Sequence, residues 1–133
     1  MRTAAHAAVN GYTAAFLAGS ANMPLVYHAH IYFLPEQAEI AATLHDTLAA
    51  QLPPGCWLGQ LIHREVGPHT RPMFEIDFAD TLLPAVRALL LQHRGPLPVL
   101  LHPQLADELA AHTSSASWLG EPLALKLHIL SRA

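Results

Sequence analysis

Apolar and polar residues alternate with a period of two along two stretches of the chain, residues 25–33 (LVYHAHIYF) and residues 73–78 (MFEIDF). This alternation is typical of half-buried β-strands, and both stretches are rich in residues that favour strands. A helical pattern follows the first stretch over residues 36–52, just after Pro35. Its large apolar residues recur on one helical face, which we expect to pack into the core: Ile40, Leu44, Leu48 and Leu52.

The remaining segments are shorter and are separated by Gly and Pro residues, which mark turns. The spacing predicts a second helix over residues 81–93, with Asp80 as its N-cap and Gly95 just past its end. Residues 64–72 are expected to form a loop. Three more strands and a short helix complete the prediction: strands at 56–63, 97–101 and 123–130, and a helix at 103–112.

The order of the main elements is β-α-β-β-α-β, which is the order of the ferredoxin-like fold. We therefore expect an α+β domain over residues 25–133: an antiparallel sheet, both helices on one face, and a C-terminal extension. Residues 1–24 are rich in Ala, and their apolar stretch is interrupted by Asn10, Gly11 and Thr13. We expect them to form a poorly ordered extension or a short helix rather than a signal peptide.

Side chains of a strand point alternately to the two faces of a sheet. The first and third predicted strands each place three apolar residues on one face: Ala29, Ile31 and Phe33, and Phe74, Ile76 and Phe78. The opposite face then receives the more polar sets: His28, His30 and Tyr32, and Met73, Glu75 and Asp77. The helices should cover the apolar sets, so the polar sets line the face without helices. A dimer partner or the C-terminal extension would cover that face.

The topology of this fold brings some of the histidines together. The first strand lies between the third and fourth and is antiparallel to both, so His28 should lie near His102, with His112 just beyond. His30 is in the middle of the strand. The loop that carries His69 starts at the other end of the sheet. His69 reaches the cluster only if the loop folds over the open face or comes from a second chain, and the topology leaves this undecided.

Composition narrows the class of protein. The chain has 133 residues, of which 52% are hydrophobic and 13% charged, which is typical of one globular domain with a core. The formal net charge of −3 argues against nucleic acid or an anionic membrane as partner. The sequence contains no run of about 18 apolar residues, so we expect no transmembrane helix. The one cysteine, Cys56, excludes a disulfide framework and a thiolate metal cluster, and fits a cytoplasmic location.

Histidine is unusually frequent: there are ten histidines against seven Lys and Arg residues. Two histidines spaced as H-x-H on a strand lie about 6.5–7 Å apart at Cα, a spacing that one metal ion can bridge. Two histidines and a carboxylate suit an Fe(II) oxygenase, and three histidines also suit catalytic zinc. Glu75 is the best-placed carboxylate. The residues alone leave a metal site and a purely structural cluster both open.

Three blocks of the sequence resemble the DOPA 4,5-dioxygenase family of fungi and bacteria: YHAHIYF (27–33), GPHTRPMFEIDF (67–78) and LLHPQLADELAAHTSSASWLG (100–120). The resemblance implies a ferredoxin-like fold, a homodimer, and extradiol cleavage of a catechol such as DOPA with O2. Five histidines fall on the motif positions: His28, His30, His69, His102 and His112. The third block departs from the family pattern, because Leu105-Ala106-Asp107 replaces the expected Thr-Gly-Asp. This departure puts the natural substrate in question.

The resemblance also implies roles for single residues. The expected metal is Fe(II), although a purified protein could contain zinc instead. Three of four histidines are expected to hold it: His28, His30, His69 and His102. His112 and His30 are candidates for proton transfer, and His112 also for orienting the substrate. Three further residues are candidates for substrate binding: Tyr32, Arg71 and Glu75.

Three alternatives remain at this point. A ferredoxin-like dimer without catalytic activity could use the same face to bind a small aromatic acid or zinc. A cupin-like barrel could also use an H-x-H pair, but the two predicted helices argue against a fold made of many short strands. A purely structural interaction module would leave the histidines unexplained.

Overall fold

The computed structural model describes residues 25–132, so the predicted N-terminal extension, residues 1–24, lies outside the described residues. The described part contains five strands: β1 (Val26–Tyr32), β2 (Trp57–Leu58), β3 (Met73–Ala79), β4 (Val99–Pro103) and β5 (Ser117–Leu119). It contains three α-helices: α1 (Ala38–Gln51), α2 (Leu83–His93) and α3 (Glu108–His112). Short 3-10 turns are found at Pro35–Gln37, Asp80–Leu82 and Leu127–Ile129. No described helix has the length and apolar character needed to cross a membrane.

The five strands form one antiparallel sheet in the order β2-β3-β1-β4-β5. The α+β class and the antiparallel sheet are as predicted, and β1 lies between β3 and β4. The register pairs His28 with Asp77 on β3 and with His102 on β4, and it pairs His30 with Glu75. Because cross-strand partners share a face, this register gathers the polar residues of three strands.

The main core lies between the sheet and the two longer helices. Its sheet side is formed by the predicted apolar residues of β1 and β3 together with Phe33, which follows β1, and all are fully buried: Ala29, Ile31, Phe33, Phe74, Ile76 and Phe78. Leu44 and Leu48 of α1 and Val86 and Leu90 of α2 pack against them. Full burial of one large apolar side chain stabilises the fold by roughly 1.5–3 kcal/mol, so this layer holds the sheet in place.

The predicted inward face of the first helix was partly wrong. Ile40 is 46% exposed, whereas the helix buries Ala41, Leu44, His45 and Leu48. An i, i+4 repeat drifts by about 40° per step around a helix, so Ile40 falls at the edge of the buried face that contains Leu44 and Leu48. The prediction that Asp80 is the N-cap of the second helix is also wrong: Asp80 begins a 3-10 turn before α2, and no side chain within residues 25–132 caps the turn or the helix.

The predicted strand over residues 123–130 is wrong. β5 (Ser117–Leu119) pairs with the free edge of β4 instead. The C-terminal segment crosses the sheet face opposite α1 and α2, which we call the open face, and contains a 3-10 turn near its end. The alternation in this segment has another cause: Leu123 and Leu125 pack onto a small second cluster of Tyr32, Met73 and Leu100, while the residues between and after them are more exposed.

Two other boundaries moved. The predicted strand at 56–63 forms only β2 and one isolated bridge between Ile62 and Met73. The short helix begins at Glu108 rather than near Pro103, because the Asp107 carboxylate caps it by accepting a hydrogen bond from the Ala110 amide at 2.9 Å. Pro103 instead ends β4, so His102 belongs to the strand.

Candidate metal centre

The open face, which is the sheet face opposite α1 and α2, presents two histidines from neighbouring strands in direct contact. The Nε2 atoms of His30 on β1 and His102 on β4 are 2.9 Å apart. Both side chains are buried. The alternation of β1 points His30 away from the core, and the antiparallel register brings β4 alongside, as the sequence predicted.

His69 joins this pair from within the same chain. The loop after β2 folds over the open face, with a turn at Gly67 (φ +54°) and a hydrogen bond of 3.0 Å from the His69 amide to the Val66 carbonyl. The His69 ring lies 4.1 Å from the His30 ring between centroids, and its Nδ1 is 2.7 Å from the Tyr32 hydroxyl. The question that topology left open is therefore answered by folding of the loop within the same chain.

His112 approaches from the last turn of α3. Its ring centroid is 4.1 Å from that of His102 and 6.2 Å from that of His69. One ring nitrogen each of His30, His69 and His112 lies within 4.8 Å of the other two. This group of three histidines could hold a metal ion.

Three of the clustered histidines are neutral near pH 7. Burial lowers the pKa of His69 to about 4, with a further contribution from the nearby His112. Burial also lowers the pKa of His102 to about 3, and His112 adds to that effect. The pKa of His30 is held well below its ordinary value by complete burial and by its histidine neighbours. Neutral imidazole is the form that binds metal ions.

The hydrogen bonds of the cluster fit a metal ion. Since a backbone carbonyl only accepts, His102 and His112 each donate from Nδ1, to the Pro103 carbonyl at 3.0 Å and the Glu108 carbonyl at 2.8 Å. Donation from Nδ1 means that in the neutral form of either ring the lone pair lies on Nε2.

The hydrogen bonding of the His30 ring is incomplete in the absence of a bound cation. Its Nε2 must donate to the lone pair of His102, which leaves its buried Nδ1 without a hydrogen-bond partner among the described residues. Glu75 Oε1 lies 3.7 Å from that Nδ1. A cation on the Nε2 side would move the proton to Nδ1, facing Glu75, which is the usual carboxylate–histidine–metal arrangement. The residues present thus fit a bound metal ion.

His28 belongs to a second group on the same face. Its Nδ1 lies 2.6 Å from Asp77 Oδ1 and 3.0 Å from Glu75 Oε2. Burial opposes protonation of His28, but hydrogen bonds to Asp77 and Glu75 outweigh it and raise its pKa to about 10. His28, Glu75 and Asp77 also have metal-ligand spacing, but a protonated Nδ1 between two carboxylates offers no lone pair.

The residues predicted to bind substrate are placed differently from one another. Tyr32 is fully buried beside His69, and burial, then the Glu75 charge, raises its pKa, so its hydroxyl stays protonated. Glu75 is engaged by His28. Arg71 is half-buried and has no hydrogen bond or ion pair within residues 25–132. Those four predicted roles, for Tyr32, Glu75, Arg71 and the ligand His28, stay predictions.

Two further residues of this face, Asp77 and Trp118, had no predicted role in the site. Asp77 was placed on the correct face but was given no role, although its position opposite His28 follows from the register. Trp118 comes from β5, the strand that was not predicted, and stacks on Tyr32 with 5.9 Å between ring centroids. The hydrophobic neighbours of Trp118 in sequence are too few to reveal a three-residue strand.

Histidines outside the cluster have other surroundings. His45, on α1, is buried and its Nε2 lies 2.8 Å from the Gly59 carbonyl, so it links the helix to the segment after β2. His128 is exposed near the C-terminus. Burial raises the pKa of the Cys56 thiol to about 11, which keeps it protonated.

Comparison with curated proteins finds two relatives. An uncharacterised 21.2 kDa protein of Botryotinia fuckeliana is 32% identical over 117 residues, which is 80% of this chain and 63% of that protein. The DOPA 4,5-dioxygenase of Amanita muscaria is 29% identical over 108 residues, covering 76% of this chain and 47% of that enzyme. The chain thus spans less than two thirds of the length of either relative.

Comparison of structures and of family models agrees with these relatives. A crystal structure from Nostoc punctiforme, described as that of a "putative dioxygenase", has a TM-score of 0.74 and 29% identity, covering 80% of this chain and 90% of that one. The model of the Dopa 4,5-dioxygenase family matches residues 27–129, which include every residue of the histidine cluster. The chain therefore belongs to the Dopa 4,5-dioxygenase family.

Proposed function

We propose that this protein is an extradiol dioxygenase that cleaves the ring of a catechol with O2, at Fe(II) held by His30, His69 and His112. One observation carries the proposal: three imidazoles from a strand, a loop and a helix bring ring nitrogens within 4.8 Å of one another. The family, the DOPA 4,5-dioxygenase relative and the dioxygenase structural neighbour support the same reading. The strand order β2-β3-β1-β4 supports the assignment of a ferredoxin-like fold, with β5 added at the edge.

Ferrous iron at this site would supply the Lewis-acid and redox chemistry by which both atoms of O2 enter the opened ring. The chain itself supplies the ligands and their orientation. The carbonyl of Glu108 fixes the ring of His112 through Nδ1, and the Tyr32 hydroxyl fixes that of His69. This proposal gives His112 a ligand role, whereas the sequence suggested proton transfer.

His102 is the candidate for proton transfer in this proposal. Its Nε2 lone pair lies beside His30, on the edge of the three-histidine group, and its Nδ1 is fixed by a backbone carbonyl. A neutral imidazole in that position can accept the proton of a catechol hydroxyl as the substrate binds. His102 also remains available as a fourth ligand, as predicted from the sequence.

Apolar side chains next to the histidines would shelter the reaction from water. Tyr32, Met73 and Leu100 form the floor, and the rim includes Trp118 and Leu125. The stacked rings of Tyr32 and Trp118 offer a flat surface that suits an aromatic substrate. A substrate carboxylate would require a cation, and Arg71 remains the candidate.

The test is anaerobic reconstitution with Fe(II), followed by DOPA and air. The expected result is oxygen uptake and a yellow ring-opened product in the wild type. The His30→Ala variant should show neither, because it lacks the central ligand. His93→Ala is the matched control, since it removes a histidine at the end of α2, on the opposite face of the sheet, and it should behave as the wild type. No uptake with DOPA or several other catechols would contradict the proposal and favour a binding protein.

A further inference from the structure

The C-terminal segment crosses the open face and touches both elements that bring histidines in from outside the sheet. We call residues 123–131 the C-terminal strap. Leu123 and Leu125 anchor it by packing against the small apolar cluster of the open face. Other residues of the strap contact the loop before β3 and the start of α3.

The first contact brackets His69. The Lys126 amide donates to the Pro68 carbonyl at 2.8 Å, and the Thr70 hydroxyl donates to the Ala124 carbonyl at 2.7 Å. These two bonds lie one residue before and one residue after His69. The loop is thus held by the strap on both sides of the residue that enters the cluster.

The second contact fixes the helix that carries His112. The carboxylate of Glu108 accepts hydrogen bonds from the Ser131 amide at 3.1 Å and from the Ser131 hydroxyl at 2.9 Å. The Leu109 amide donates to the Ser131 carbonyl at 3.1 Å. Glu108 therefore bonds to the strap through its side chain and to His112 Nδ1 through its carbonyl.

These bonds matter because the two elements have little stability of their own. The sheet ladder fixes His30 and His102, whereas His69 sits on a loop and His112 on a helix of five residues. A helix that short is not stable in isolation and depends on tertiary contacts. The strap is the part of the described chain that bonds to both elements.

We propose that the C-terminal strap positions His69 and His112 relative to each other, with Thr70 and Glu108 as positioning residues that act through their bonds to the strap. The inference rests on the proposed metal site for its functional meaning. It assigns the strap a role in site geometry beyond covering the sheet.

The first experiment measures Co(II) binding by the full chain, with Co(II) as the sole metal added. Thr70→Val and Glu108→Ala remove the strap bonds, while Thr70→Ser and Glu108→Gln keep the hydroxyl donor and the oxygen acceptor. Thr47→Val is the matched control, because its hydroxyl donates only within α1, to the Thr43 carbonyl at 3.1 Å. Circular dichroism at the assay temperature checks that each variant is folded.

We expect Thr70→Val and Glu108→Ala to bind Co(II) at least about 10-fold more weakly, with altered visible absorption, as for other residues that orient metal ligands. Thr70→Ser, Glu108→Gln and the Thr47→Val control should match the wild type. Affinity and spectrum unchanged in both disruptive variants would overturn the inference. It would also be overturned if the conservative variants were as impaired as the disruptive ones.

A second experiment needs no metal. Ring ¹⁵N resonances of the metal-free protein should shift for His69 in Thr70→Val and for His112 in Glu108→Ala, while those of His28 on β1 stay in place. If the wild type bound no Co(II), the proposed metal site would fail, and these spectra would still decide the role of the strap: unshifted His69 and His112 resonances reject it.

Discussion

The two faces of β1 are both buried but serve opposite purposes. Toward the helices, Ala29 and Ile31 are fully buried among other apolar side chains. Toward the open face, His30 is almost equally buried, yet within residues 25–132 its Nδ1 has no hydrogen-bond partner. Burying a polar group without a partner costs about 1–3 kcal/mol, so the open face is not built for stability alone.

This difference indicates that the open face, and not the helix-covered face, is suited to binding a ligand. The helix-covered face is satisfied by packing and needs nothing further. The open face gathers imidazoles whose ring orientation is fixed by backbone carbonyls, with the lone pairs turned toward the cluster. The incomplete hydrogen bonding of His30 is what a bound cation would complete.

The largest expected effect is the loss of metal binding when a histidine of the open face is substituted. His30→Ala should abolish binding of Fe(II) or Zn(II) in a calorimetric titration, because His30 lies at the centre of the cluster, against both His69 and His102. Its free energy of unfolding should stay within about 2 kcal/mol of the wild type, since a buried polar atom without a partner is also removed. Metal binding equal to that of the wild type would refute this reading of the open face.

A substitution in the core on the helix-covered face should instead lower the free energy of unfolding rather than the affinity for metal. Phe74→Ala removes a fully buried ring from the core and should lower the free energy of unfolding by about 3–5 kcal/mol in a urea titration. The more conservative Phe74→Leu should lower it by less. A loss below about 1 kcal/mol for Phe74→Ala would show that the helix-covered layer is not the main source of stability.

Lowering the pH should destabilise the metal-free protein through the buried histidines of the open face. In the metal-free protein the pKa of His69 is lowered to about 4, whereas an unfolded chain takes up that proton near 6.5. Between these values the unfolded state binds more protons, so stability is lost as pH falls from about 6.5 to about 4. The loss due to His69 is on the order of 3 kcal/mol. Urea titrations across this window should show a shallower pH slope for His69→Gln; an identical slope would contradict the assignment.

The smallest effect is expected at the outer side of the covered layer. Ile40→Ala on α1 should change the free energy of unfolding by no more than about 0.5 kcal/mol, because Ile40 is 46% exposed. Leu48→Ala on the same helix is the matched comparison and should cost about 2–5 kcal/mol, since Leu48 is fully buried. Equal losses in thermal or urea unfolding would mean that Ile40 is covered in solution.

Much of this organisation could be predicted from the sequence, because alternation determines which face a strand residue occupies. The division of β1 into Ala29 and Ile31 against His28 and His30 followed from parity alone. The contact between His28, His30 and His102 followed from the strand order. These predictions depend on local pattern and on a topology with few alternatives.

The rest depends on contacts that leave no local pattern. The position of His69 is set by a loop held by distant residues such as Ala124, and the pairing of His28 with Asp77 requires the register. β5 is only three residues long, so it shows no periodicity. The alternation that begins at Leu123 looked like a strand, but it arises from one-sided packing on the open face.

The most direct test is a crystal of the protein loaded with Fe(II) under anaerobic conditions, with anomalous difference density collected at the iron edge. We expect one strong peak at coordination distance from His30, His69 and His112. A peak between His28, Glu75 and Asp77 instead, or iron bound elsewhere with the three histidines unchanged, would contradict it.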